Sequence, residues 1–121
     1  MRIAIIGAGN VGGGLARAAV AAGHDVVLSA AHQATARTTA QGSGARAAES
    51  NVAAVQGAEV VVLAEPGVIA PAVAAELAPV IDGAVVVDAT NASNETYSDL
   101  ALNATNGWAW QSAWQLVGPT A

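Results

Sequence analysis

Six residues near the amino terminus, Gly7-Ala8-Gly9-Asn10-Val11-Gly12, have the types and spacing to do chemistry. A glycine at the first position permits a tight turn out of a strand. One at the third position lets a bulky anion approach the backbone. One at the sixth lets a helix pack close to the strand it follows. The helix start adds free N–H groups and the positive end of its dipole, so the chemistry is phosphate binding. Gly13 and Gly14 extend the run into the helix, where each costs about 1 kcal/mol relative to alanine. Close approach of a neighbour and a merely soft helix start explain them equally well.

When such a turn leaves a strand and opens a helix, its expected ligand is a pyrophosphate-linked dinucleotide. The end of the next strand then sets preference. An NAD site usually places a carboxylate there for the ribose 2′-hydroxyl. This chain has Ser29-Ala30-Ala31-His32 instead. Without a carboxylate nothing repels a 2′-phosphate. Ser29 can donate to it, and His32 or Arg37 can supply positive charge. These residues favour NADP over NAD, although His32 and Arg37 read equally well as solvated loop residues. Ala64-Glu65-Pro66 and Asp88-Ala89-Thr90-Asn91 fall at the ends of two further strands, where open α/β sheets bind ligands. Thr90 and Asn91 suit hydrogen bonds to ribose or amide groups. Asp88 is expected to cap its strand end locally. Glu65 is the only carboxylate near a plausible nicotinamide position, although a solvated loop acid is its commoner reading. No nucleophilic or metal constellation is present: His24 and His32 lack acidic neighbours at ligand spacing, and there is no cysteine. Hydride transfer needs little acid–base machinery, so this does not count against a redox role.

The elements that must position these residues follow from periodicity. Arg2 to Ile6 is a short apolar run, as in a buried parallel strand. Val11, Leu15, Ala18 and Ala22 recur at helical spacing up to Gly23. Asp25 to Ser29 is a second strand. The pattern continues with a helix over 33–41, a short strand over 45–48, a helix over 49–56, a strand over 59–64, a helix from Pro71 to Ala78, and a strand over 84–88. This alternation predicts an α/β Rossmann-type, doubly wound fold with a mainly parallel sheet of about five strands. Residues 91–121 are an atypical tail carrying Trp108, Trp110 and Trp114, a candidate homodimer interface, within one domain spanning 1–121.

Composition narrows the function. Of 121 residues, 54% are hydrophobic and 11% charged, which is too apolar for disorder. The net charge is −5, and the basic residues Arg2, Arg17, Arg37 and Arg46 are scattered, which excludes nucleic-acid binding. No apolar run is long enough to span a bilayer. Gly7 to Asn10 and Arg17 interrupt any secretion signal, so the expected location is the cytoplasm.

Four segments, Met1 to Gly12, Ala22 to Leu28, Gly57 to Ala64 and Val86 to Asn91, resemble the coenzyme F420-dependent NADP oxidoreductase family over about residues 1–91. The resemblance implies an NADP-binding domain, often one that passes hydride between reduced F420 and NADP. By position, Gly7, Gly9, Asn10 and Val11 would meet the pyrophosphate, alongside Ala8 and Gly12 of the same turn. Ser29 would face the 2′-phosphate, Ala64 and Pro66 would border the nicotinamide ribose, and Asn91 would lie near the nicotinamide. Ala30 stands where family members carry an arginine. Family chains also run further, building the second substrate's pocket. The expectation is therefore a fold truncated at its carboxyl end, with the F420 site supplied by a partner subunit or absent. The alternative is a dinucleotide-binding module without catalysis.

Overall fold

The computed structural model describes residues 1–65, 69–81 and 83–90. Their order is β1 (Arg2–Ile6), α1 (Asn10–Ala21), β2 (Asp25–Ser29), α2 (Gln33–Ser43), β3 (Arg46–Ala47), α3 (Asn51–Val55), β4 (Val60–Leu63), α4 (Ala70–Leu77) and β5 (Val85–Asp88). All pairings are parallel, in the order β3-β2-β1-β4-β5. The strands are runs of Val, Ile and Leu because helices cover both sheet faces, and neither face selects polar residues. On one face Ile5, Val26, Leu28 and Val62 pack with Ala16 of α1 and Ala40 of α2. On the other, Ala4, Ile6, Val27, Val61 and Leu63 pack with Ala54 and Val55 of α3 and Ala74 and Leu77 of α4. The doubly wound fold expected from the alternation is thus present.

Register matters most for the site. Ile6 pairs with Ser29 on one side and Leu63 on the other, and Leu63 pairs with Asp88. Four strands therefore finish level at one rim. The chain leaves β1 towards β2 in one direction and reaches β4 in the other, so the rim holds the switch point where such sheets bind ligands. Gly23, Gly57 and Gly83 take positive φ of 91°, 71° and 72° in the turns that lead into β2, β4 and β5 at the opposite rim.

Three helices depart clearly from expectation. The predicted 49–56 helix forms only over Asn51–Val55, because Ser50 stops being helical and caps it, its Oγ accepting the Ala53 N–H at 3.0 Å. In α1 the inward residues are Gly12, Gly13 and Ala16, while Val11 and Leu15 are exposed. The helix start lies too close to β1 for larger side chains: a Cβ on Gly12 would sit 1.9 Å from the Gly7 carbonyl oxygen. The α2 helix runs two residues past its predicted end, to Ser43, and Gly44 closes it with φ of 82°.

Candidate functional site

The three motif glycines do different jobs. Gly7 turns out of β1 with φ of 119°, and a Cβ there would lie 2.6 Å from the Ala64 carbonyl of the β4 turn. Gly12 is demanded by its clash with Gly7. Gly9 is demanded by nothing in the protein: its φ is −80°, and a Cβ would meet no atom within 4 Å. The space its missing side chain leaves opens on a cleft of about 220 Å³. The walls are the glycine turn (Gly7, Ala8, Gly9), the β2–α2 connection (Ala30, Ala31, His32, Thr35), and the β4 turn (Ala64, Glu65) with Ile69. Gly9 is also the N-cap residue of α1. That helix has no side-chain cap and no acid in its first turn, so its leading N–H groups face no competing side chain.

Other expected residues fall in different places. His32 and Ala64 line the cleft. Asn10 is exposed at the helix start beside Gly9, and Val11 is exposed one residue on. Arg37 is exposed on α2 and is not part of the cleft wall. Ser29 does not face the cleft as expected. It is 1% exposed, and its hydroxyl donates to Asn51 Oδ1 at 2.6 Å. The hydroxyl is committed because β2 ends beneath α3, where a buried donor must find a partner. Thr90 is also committed, its N–H and Oγ both donating to Asp88 Oδ1 at 2.9 and 2.7 Å. Asp88 therefore caps its strand end locally, as expected. Pro66, Asn91 and the tryptophan-rich tail lie outside the described residues.

Glu65 departs furthest from the sequence reading. It is only 7% exposed, and neither carboxylate oxygen has a hydrogen-bond partner. Burial pushes its carboxyl up to about 7. The nearby amides of Glu65 and Ala64 oppose this without reaching hydrogen-bonding geometry, and the Asp88 charge reinforces it. The wall of the cleft thus holds an acid that is half neutral near pH 7.

Sequence reasoning missed Thr35, Thr39, Asn51 and Ile69. Thr35 and Ile69 line the cleft. Thr39 Oγ1 donates to the Ala8 carbonyl at 3.0 Å. Asn51 links Ser29 to Glu76, its Nδ2 donating to Oε1 at 2.9 Å. A single threonine or asparagine in a helix carries no local signal for such long-range bonds; only the repeat of Thr35 and Thr39 one turn apart hints at a shared face.

A parallel sheet in this order, with a glycine turn and helix start at its switch point, defines a Rossmann-type dinucleotide-binding domain. The chain belongs to the family described as NADP oxidoreductase, coenzyme F420-dependent, whose profile matches residues 2–92. It is accordingly a pyridine-nucleotide-binding domain of the oxidoreductase class. Solved structures share the fold. Arogenate dehydrogenase from Synechocystis aligns with a TM-score of 0.72 at 20% identity, over 93% of this chain and 37% of that one. Prephenate dehydrogenase from A. aeolicus, solved with NAD+, aligns at 0.74 and 14% identity over 98% of this chain and 38% of that one. The 3-hydroxyisobutyrate dehydrogenase of Mycobacterium tuberculosis aligns at 0.68 and 28% identity, over 76% of this chain and 32% of that one. The chain thus spans about a third of the length of these enzymes. No curated protein gives a match. Among the described residues no helix is long and apolar enough to cross a membrane, and no group of three or more His, Cys, Asp or Glu is placed to hold a metal ion.

Proposed function

We propose that the cleft binds NADP(H) and that the chain supports hydride transfer between this cofactor and a small redox partner in the cytoplasm. The observation that carries the reading is the space at Gly9, which the fold does not need and a pyrophosphate does. The first-turn N–H groups of α1 then receive the phosphates. Thr35 and His32 line the cleft, and in this reading they meet the 2′-phosphate. The β2–α2 wall, Ala30, Ala31, His32 and Thr35, contains no carboxylate to exclude that phosphate, which favours NADP over NAD. Ala64 borders the nicotinamide ribose in this reading. When bound, the nicotinamide supplies the carbon that carries the hydride. Family membership makes F420 the first partner to test.

The test is calorimetric titration with NADPH and, separately, NADH. The expected result is binding of both, NADPH the tighter. Tighter NADH binding overturns the preference, and binding of neither overturns the site. A second reading is a dinucleotide-binding module without catalysis. NADPH binding without oxidation by F420 or other acceptors would establish it.

A further inference from the structure

The cleft wall is fixed from outside as well as within. The Thr39 hydroxyl reaches from α2 to the Ala8 carbonyl at 3.0 Å, and its methyl group packs at Gly13, where a Cβ would come within 3.2 Å. Gly13 is buried, and this contact is what its missing side chain allows. The Ala8–Gly9 peptide is trans, so its C=O and N–H point in opposite directions. Pinning the Ala8 carbonyl against α2 therefore turns the Gly9 N–H away from α2. Among the described residues that N–H donates to no backbone carbonyl, and Gly9 lines the cleft. One helical turn earlier, α2 contributes Thr35 to the same cleft.

From these observations we infer that Thr39 is a positioning residue for the dinucleotide site, holding the Ala8–Gly9 peptide so that its N–H is presented to the pyrophosphate. This rests on the reading of the cleft given above. It makes α2 a double element: its start borders the adenosine side, and its middle sets the geometry of the phosphate turn. The hydroxyl is the working part, because the methyl group alone cannot hold the carbonyl.

The test compares wild-type protein with Thr39→Val, which keeps the shape, and Thr39→Ser, which keeps the hydroxyl. The ligands are NADPH and adenosine 2′-monophosphate, which lacks the pyrophosphate. Thr39→Val is expected to weaken NADPH about tenfold, the worth of one hydrogen bond. Thr39→Ser is expected to stay within about twofold of wild type, and adenosine 2′-monophosphate to bind all three alike. Wild-type affinity for NADPH in Thr39→Val overturns the proposal, as does equal weakening in Thr39→Ser. Equal weakening of both ligands also overturns it, since general loosening would do that. Should Thr39→Val not fold, the wild-type Gly9 amide resonance decides: a downfield shift on NADPH addition is expected, and an unmoved resonance overturns the proposal. Wild-type protein that binds neither ligand overturns the reading of the cleft itself, and this inference with it.

Discussion

Individual residues at the rim separate into those the fold needs and those it does not. At Gly7 and Gly12 an added Cβ would lie 2.6 and 1.9 Å from neighbouring backbone, closer than a side chain can stand. Gly9 has open space around it, so Gly9→Ala is expected to melt within a few degrees of wild type while losing at least tenfold in NADPH affinity, by differential scanning fluorimetry and calorimetry. The reverse pattern, lost stability with intact binding, would contradict the assignment. Glu65 gives a second prediction. Its folded carboxyl titrates at about 7, above the unfolded value, so the folded state holds the extra proton between the two. Stability contributed by this group is therefore full at low pH and falls as pH rises from about 4.5 to about 7, by something on the order of 3 kcal/mol. Glu65→Gln is expected to remove that component, so that the variant gains on wild type with rising pH. Parallel stability profiles for the two proteins, by urea unfolding from pH 4.5 to 8, would refute it.

Among the elements, legibility follows local contrast. β1, its turn and α1 are plain in the sequence because apolar strand, glycine run and helical spacing follow one another within Arg2 to Ala21. The inner face of α1 is not plain. It is built from Gly12, Gly13 and Ala16, so close packing replaces hydropathy as the deciding factor and the larger Val11 and Leu15 turn outward. The glycine turn, His32 and Ala64 at the site were readable from spacing. The burial of Glu65 and the commitment of Ser29 were not, since each depends on elements distant in the chain. The Ser29–Asn51–Glu76 bonds join β2, α3 and α4 behind the rim. Asn51→Ala leaves the fully buried Ser29 hydroxyl without its acceptor and is expected to cost about 1–2 kcal/mol in denaturant unfolding. A loss below the error of the measurement would show that the network does not hold the elements together.

At the scale of the whole molecule, ligand and fold are linked. A dinucleotide that binds only the native cleft stabilises it by about 2.7 kcal/mol at a hundred times its dissociation constant. For a chain of this size that raises the melting temperature by roughly 10 °C. Thermal scans with saturating NADPH are expected to show that rise, and an unshifted transition would contradict native-state binding. The four strand ends at Ile6, Ser29, Leu63 and Asp88 share one rim, and the described cleft-lining residues gather there. The glycine turns at Gly23, Gly57 and Gly83 lie at the other and are all exposed. The two rims are thus separable parts for an engineer. A fluorophore or an inserted reporter domain at one of those far turns would sit a full strand length from the cleft, turning the chain into a nucleotide sensor whose attachment point and recognition surface do not compete.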